Sequence, residues 1–242
     1  MGISEKIYTD YRVGGYIVEG YKKIAKHYEE CFRRNGDNCR GVDWPDDIDA
    51  QTRYRVMLNI IGYYESIFMG RDICMRRENQ INTENYSVLE IGCGLGHLYE
   101  FSRKYQYKLS YSGLDISDVF IETCKNKYPD IKFICRDILT EKKPESEKYD
   151  FVIMNGVFTE KLDLSYEQMW EFFTGMLAKA FEYCSKGMAF NVMSKDVDWE
   201  RDDLFHVPLN QLSSWLTKTL TRNFIIRYDY GLYEYAVYVM KN

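Results

Sequence analysis

The sequence has few of the features that mark several other classes of protein. Its 242 residues include four prolines and three histidines, and its seven cysteines form no C-x-x-C pair. Separate histidines without paired cysteines do not have the spacing of a zinc site, so we expect no bound metal. No apolar run reaches the roughly 18 residues that a membrane-spanning helix needs, so we also expect no membrane partner.

The chain also lacks an excess of positive charge. It has 32 Lys and Arg against 37 Asp and Glu, a net charge of −5, whereas a nucleic-acid-binding surface is normally basic. The first six residues contain no apolar core of a secretion signal. An odd number of cysteines without metal-binding spacing is typical of reduced thiols. We therefore expect a cytoplasmic protein that does not bind nucleic acid.

The chain does contain enough apolar material for one large α/β domain. Apolar residues make up 45% and charged residues 29% of the sequence, a balance that is typical of globular rather than disordered chains. At this length a full hydrophobic core can form. A folded, small-molecule-binding protein is therefore the class to consider first.

The most informative stretch is a glycine-rich turn between a predicted strand and a predicted helix. The apolar run 88–91 leads into Gly92, Gly94 and Gly96, and a helical pattern follows. Glycine lets a ligand approach the backbone closely. The free N–H groups and the positive dipole end of the next helix suit an anionic or polar ligand. The turn therefore predicts a cofactor site.

The glycine spacing indicates which cofactor. In the dinucleotide fingerprint G-x-G-x-x-G the third glycine comes later than it does here; His97 occupies that position, and the glycine stands one residue early, at Gly96. An acid, Glu90, stands two residues before the first glycine. This E-x-G-x-G-x-G pattern resembles motif I of the class I S-adenosylmethionine (SAM)-dependent methyltransferases.

Three later segments follow the order of that family. Segments 109–115, 131–138 and 149–155 are predicted to be strands, and each ends in a polar residue or is followed closely by one. The resemblance covers roughly residues 86–242 and extends, over a shorter stretch near Trp44, to poorly characterised bacterial small-molecule methyltransferases. It implies SAM as the cofactor.

The resemblance also implies the residues that hold SAM. Gly92 and Gly94 would lie under the methionine part, and Asp115 would accept hydrogen bonds from the ribose hydroxyls. Asp137 would accept one from the adenine amine, while Ile138 packs on the ring. The remaining expected cofactor residues are Glu90, Cys93, Ile116 and Asn155.

The same resemblance implies a Rossmann-like class I methyltransferase fold with a seven-stranded mixed sheet. Segments 223–228 and 233–240 predict a C-terminal hairpin, whose last strand is expected to be antiparallel in the sheet. We predict that residues 81–242 form the SAM-binding domain and that residues 1–80 form a helical cap packed on it.

The predicted cap contains two helices, at about residues 16–34 and 48–68, each with an apolar stripe. Arg53 or Arg55, in the second helix, could bind the methionine carboxylate of SAM, since a guanidinium group matches a carboxylate. The alternative is a surface arginine. Tyrosines near the N-terminus are expected to line a pocket for a ring-shaped substrate; these are Tyr8, Tyr11 and Tyr16.

The acceptor can be narrowed by motifs that are absent. The sequence after the fourth strand is Met154-Asn155-Gly156-Val157, which lacks the Asp/Asn-Pro-Pro-Tyr/Phe box of enzymes that methylate DNA bases or glutamine amides. The double-glutamate loop of arginine methyltransferases is absent as well. We therefore favour a small-molecule acceptor, with a hydroxyl group of a sugar or natural-product-like compound as the methylated group.

A hydroxyl acceptor must lose a proton, and histidine is suited to take it. His206 lies in the loop after the predicted fifth strand, with Asp202 and Asp203 nearby to orient the ring. We predict His206 as the general base. The alternative is a loop histidine hydrogen-bonded to backbone.

Three other functions stay open at this point. An NAD-binding oxidoreductase would require a different glycine spacing, and NAD rather than SAM would then stabilise the protein. An aminopropyl transferase shares the fold but would need an acidic motif at the fourth strand. A non-catalytic SAM-binding or partner protein would bind SAM and turn over no acceptor.

Overall fold

The computed structural model describes residues 17–70 and 85–241. Within these ranges it contains six α-helices: α1 (Ile17–Asn35), α2 (Asp47–Met69), α3 (His97–Lys104), α4 (Asp118–Lys127), α5 (Tyr166–Tyr183) and α6 (Leu209–Thr219). The strands in the same ranges are β1 (Tyr86–Ile91), β2 (Leu109–Asp115), β3 (Lys132–Cys135), β4 (Tyr149–Met154), β5 (Cys184–Ser194), β6 (His206–Val207), β7 (Phe224–Arg227) and β8 (Glu234–Met240). None of the described helices is long and apolar enough to span a membrane.

All of these strands belong to one sheet. Its order is β3-β2-β1-β4-β5-β8-β7, and the two-residue β6 pairs with the end of β5. Neighbours among β1 to β5 run parallel, whereas β8 is antiparallel to both β5 and β7. The predicted mixed sheet with an antiparallel C-terminal strand is confirmed. Strand β6 was not predicted because two residues are too few to show a periodicity.

The central strands are apolar because helices cover both faces of the sheet. Every residue of β8 is buried, as expected for a strand with no solvent-facing side. On one face, Phe173 and Leu177 of α5 lie in the core. On the other face, Met57 and Ile61 of α2 are fully buried. The sheet is therefore the middle layer of three.

The two N-terminal helices lie close to their predicted bounds. The side chain of Asp46 accepts hydrogen bonds from two backbone N–H groups in the first turn of α2, which satisfies donors that a helix start leaves unpaired. The Tyr238 hydroxyl donates to the Val56 carbonyl and so joins β8 to α2. The predicted boundary at residue 80 lies outside the described residues.

The glycine loop between β1 and α3 has the backbone conformation that its sequence predicts. Gly92, Gly94 and Gly96 have φ values of 75°, 48° and 75°, a region that is costly for residues with a Cβ atom. The N–H groups of Gly92 and Cys93 both donate to the Leu114 carbonyl, at 2.8 and 3.1 Å. These bonds hold the loop against the end of β2.

We predict that Gly92→Ala destabilises the chain more than Gly231→Ala. Both glycines have φ of 75°, so each alanine should cost about 1–2 kcal/mol in the left-handed region. At Gly92 the new Cβ would lie 2.6 Å from Val157 Cγ2, whereas nothing lies within 4 Å at Gly231. The overlap should add about 1–3 kcal/mol in urea denaturation. Equal losses in the two variants would contradict the close packing of the loop.

Candidate active site

A cavity that is partly open to solvent lies at the carboxyl ends of the parallel strands. Open α/β sheets bind their ligands at this edge. Every residue that the sequence predicts for the cofactor, except Arg53, lines it. These residues are Glu90, Gly92, Cys93, Gly94, Asp115, Ile116, Asp137, Ile138 and Asn155.

The carboxylate of Asp115 is fixed at the centre of this cavity by backbone donors. Its Oδ2 accepts a hydrogen bond from Gly94 N and its Oδ1 accepts one from Ser117 N, both at 2.9 Å. Burial raises the pKa of Asp115, and these backbone hydrogen bonds act in the opposite direction. The arrangement orients a carboxylate that still has lone pairs free for a ligand, since a carboxylate offers about four acceptor positions.

Glu90 lies deeper, at the end of β1. It is almost fully buried, and it accepts a hydrogen bond from the Tyr111 hydroxyl. Burial raises the pKa of Glu90 well above its ordinary value, while the bond from Tyr111 lowers it. The site therefore contains a carboxyl group whose charged form is disfavoured by the surrounding protein.

At the other end of the cavity Asp137 is held by a turn and by α1. Its Oδ1 accepts from Leu139 N at 3.0 Å, in a side-chain turn common for aspartate, and its Oδ2 accepts from the Tyr21 hydroxyl at 2.5 Å. The Tyr21 ring also stacks on Phe172 of α5, with centroids 5.0 Å apart. Helix α1 therefore contacts the region where the sequence places the adenine.

Asn155, at the end of β4, has a polar atom available for a ligand. The side chain is 8% exposed, and its Oδ1 is buried without a hydrogen-bond partner among the described residues. Leaving a buried acceptor unpaired costs about 1–3 kcal/mol. Because most such groups are paired in folded proteins, the orphaned oxygen marks a position where a donor from a ligand fits.

Aromatic side chains from the N-terminal region cover part of the cavity. The lining residues are Tyr21 and Tyr28 of α1, Trp44 in the turn before α2, and Tyr54 of α2. The sequence predicted aromatic lining, but from Tyr8, Tyr11 and Tyr16, which lie outside the described residues. Tyr21 and Tyr28 are seven residues apart and so lie on one face of a helix, which is the pattern that could have predicted their place in the cavity. The same pattern is also typical of a helix face buried in the core.

Arg53 does not line the cavity, which corrects its predicted contact with the cofactor. Its Nε donates to Glu234 Oε2 at 2.9 Å, and its guanidinium lies over the Trp44 ring, 5.0 Å from the centroid. The surface alternative is also wrong, because the Arg53 side chain is only 13% exposed. Local spacing could not show this, since Glu234 is 181 residues away in the chain. Arg55 is exposed.

The structure also corrects the prediction of His206 as general base. His206 is buried and is not among the residues that line the cavity. Its Nδ1 lies 2.7 Å from the Ser194 carbonyl, and its Nε2 accepts from Arg201 N at 3.3 Å. The carbonyl requires the proton on Nδ1, and the lone pair of Nε2 is then used by a backbone donor. The histidine connects β6 to β5 and its loop.

Comparisons with known proteins agree with this fold. Residues 88–179 match the family model described as a methyltransferase domain. The chain is 25% identical over 165 residues to a candidate methyltransferase of Mycobacterium tuberculosis, covering 64% of this chain and 93% of that one. It is 34% identical over 86 residues to malonyl-acyl-carrier-protein O-methyltransferase of Priestia megaterium, covering 33% and 31%, respectively.

A solved structure shows the same fold. The plantazolicin methyltransferase BpumL, solved with a desmethylplantazolicin analogue and S-adenosylhomocysteine (SAH), aligns with a TM-score of 0.60 and 17% identity, covering 94% of this chain and 98% of that one. The sheet order and the glycine loop are those of the class I methyltransferase fold. Together with the match of residues 88–179 to a methyltransferase domain, they support a SAM-dependent methyltransferase.

We predict that the effect of Glu90→Gln on stability depends on pH. Burial raises the pKa of Glu90 in the folded protein above its value in the unfolded chain. Protonated Glu90 therefore stabilises the fold fully at a pH below the pKa of the unfolded chain, and this stabilisation is lost as the pH rises through the pKa of the folded protein. Glutamine is neutral at every pH, so the variant does not lose stability in this way. Urea denaturation between about pH 5 and pH 8 should therefore show the variant gaining stability relative to wild type as pH rises.

Glu100→Gln, which neutralises an exposed glutamate of α3, is the matched control, and the gain in stability with pH should be larger in Glu90→Gln. A constant difference between Glu90→Gln and wild type across the pH range would contradict the buried, charge-disfavouring environment of Glu90.

Proposed function

We propose that the chain transfers a methyl group from SAM to a hydroxyl group of a small molecule. The observation that carries the proposal is the cavity lined by the glycine loop and by two strand-end carboxylates, Asp115 and Asp137. When bound, SAM supplies a methyl group that its sulfonium already activates. The orphaned Asn155 Oδ1 fits a ligand that carries an N–H donor, as SAM does.

Each part of SAM has a proposed place in this cavity. The backbone of Gly92 and Gly94 would face the methionine part, and Asp115 would accept hydrogen bonds from the ribose hydroxyls. Asp137 would accept one from the adenine amine, with Ile138 against the ring. The hydrogen bonds that Asp115 and Asp137 already accept leave acceptor positions unused. Glu90, Cys93 and Ile116 would complete the lining on the cofactor side.

We propose that the acceptor binds beside Asn155, against the aromatic side chains of the N-terminal region that line the cavity. The Tyr28 hydroxyl donates to the Gly156 carbonyl at 3.4 Å, and a Cβ at Gly156 would lie 2.9 Å from the Trp44 indole. Flat aromatic surfaces suit a ring-shaped, apolar substrate with a polar edge. The contribution of these residues would be to hold the acceptor oxygen in line with the methyl group, at about 3–3.5 Å.

Two observations favour oxygen as the methylated atom. The sequence after β4, Met154-Asn155-Gly156-Val157, lacks the Asp/Asn-Pro-Pro-Tyr/Phe box of enzymes that act on DNA bases or amides. The relative from Priestia megaterium is named as an O-methyltransferase. We do not include His206 in the reaction, because both of its ring nitrogens are bonded to backbone. The proton of the acceptor hydroxyl would pass to water, since the cavity is partly open to solvent.

We further propose that the N-terminal helices form a cap that depends on the main domain. Helix α2 buries Met57, Leu58, Ile60 and Ile61 against the sheet, and a helix with one apolar face needs such a surface to be stable. A cytoplasmic location is proposed as well, and it is supported by the free thiols of the six described cysteines.

Ligand-induced stabilisation tests the choice of cofactor. We predict that SAM and SAH raise the melting temperature and that NAD does not, since a ligand at 100 times its Kd adds about 2.7 kcal/mol of stability. Incubation of SAM with hydroxyl-bearing small molecules should then release SAH. Stabilisation by NAD alone would show an oxidoreductase, and SAM binding without turnover of any acceptor would favour a non-catalytic protein.

Asp115→Ala tests the position of the ribose. Loss of a charged acceptor for both hydroxyls should weaken SAM binding by about 2–4 kcal/mol in a calorimetric titration. Asp118→Ala is the matched control, because Asp118 is an exposed aspartate three residues away, and its affinity should equal that of wild type. A cooperative thermal transition confirms that each variant is folded. Unchanged affinity in Asp115→Ala would contradict the assignment.

A further inference from the structure

A cluster of metal-ligating side chains lies on α1 and the turn before α2. His27 and Cys31 of α1 and Asp43 bring one nitrogen, one sulfur and one carboxylate oxygen within 4.8 Å of one another. His27 Nε2 lies 2.7 Å from Asp43 Oδ2 and 3.7 Å from Cys31 Sγ. The cluster is next to the cavity, because Tyr28, which lines the cavity, packs edge-on against the His27 ring.

Local structure explains why these atoms converge. His27 and Cys31 are four residues apart, so they lie on the same face of α1. Asp43 ends a short 3-10 helix (Cys39–Val42) in the left-handed conformation, with φ of 58°, which aspartate adopts more readily than most residues. This turn directs its carboxylate to His27.

The distance between His27 and Cys31 suits zinc, whereas the 2.7 Å between His27 Nε2 and Asp43 Oδ2 is a hydrogen bond that a bound ion would open to about 3.3 Å. With Zn–N of about 2.0–2.1 Å and Zn–S of about 2.3 Å, two tetrahedral ligands lie about 3.6 Å apart, close to the 3.7 Å between His27 Nε2 and Cys31 Sγ. Arg34 Nη2 also lies 3.4 Å from the same sulfur, and a metal ion displaces the thiol proton when it binds. A mixed set of imidazole, thiolate and carboxylate is a typical zinc environment.

Glu160 supplies an independent indication of a missing ligand. It lies in the loop after β4 and is 7% exposed, yet within the described ranges its carboxylate makes no hydrogen bond or ion pair. The charges of Asp43, Asp203, His27 and Arg201 all act on Glu160, which places its carboxylate near the cluster. Buried carboxylates are normally paired or bound to a metal, so a cation beside Asp43 would satisfy both acids.

We propose that His27, Cys31 and Asp43 bind one Zn²⁺ ion, with the charge of Glu160 acting on it from the loop after β4. The ion would tie α1 to the turn before α2, next to the cavity. Sequence spacing predicted no metal because the ligands come from two separate segments, with a single histidine and a single cysteine among them. The site stands independently of the proposed methyl transfer.

Titration of the metal-stripped full chain with Co²⁺ tests the site. One equivalent should produce the near-ultraviolet thiolate-to-cobalt absorption and the intense visible bands of a tetrahedral ion, and Zn²⁺ should abolish them. Cys31→Ser should lose the thiolate band and weaken Zn²⁺ binding by on the order of 100-fold, since even outer-shell partners contribute about 10–100-fold. Glu160→Gln should keep the thiolate band but bind Zn²⁺ more weakly.

Cys39→Ser is the matched control, because Cys39 is a nearby free thiol that does not belong to the cluster. It should keep both the thiolate band and the affinity for Zn²⁺. Wild type without a thiolate band, or equal loss in Cys39→Ser and Cys31→Ser, would overturn the proposal. Titration of the same samples with SAM reports separately on the proposed function and on whether each variant is folded.

Discussion

The site depends on the hydrogen bonds that join the glycine loop to the end of β2. The Leu114 carbonyl accepts from the N–H groups of Gly92 and Cys93, and the Asp115 carboxylate accepts from Gly94 N. The left-handed glycines allow these N–H groups to point at one strand end. These three hydrogen bonds therefore shape the loop and orient the carboxylate, and both line the cavity.

The rest of the fold forms the walls of the cavity around these hydrogen bonds. The parallel strands bring Asp115, Asp137 and Asn155 to one edge of the sheet, because parallel strands end on the same side. The N-terminal helices then cover that edge with Tyr21, Tyr28 and neighbouring aromatics. The Tyr21 hydroxyl contacts Asp137 directly, so the proposed adenine contact would couple cofactor binding to the position of the N-terminal helices.

The parts of the site that the sequence predicted are those that local patterns encode. The glycine loop and Asp115 each lie at the end of a strand, where an apolar run stops and a polar residue follows. Such a boundary can be recognised in the amino-acid sequence alone. The predicted roles of Arg53 and His206 were wrong for a different reason. Their partners are Glu234, 181 residues away, and the Ser194 carbonyl, and only tertiary folding brings these groups together.

The most direct measurement of the central claim is a crystal structure of the protein grown with SAH. The account predicts SAH in the cavity at the ends of β1, β2 and β4, with the ribose hydroxyls at hydrogen-bonding distance from Asp115. The adenine should lie beside Asp137 and Ile138. SAH bound elsewhere, or a cavity that holds no ligand at saturating SAH, would contradict it.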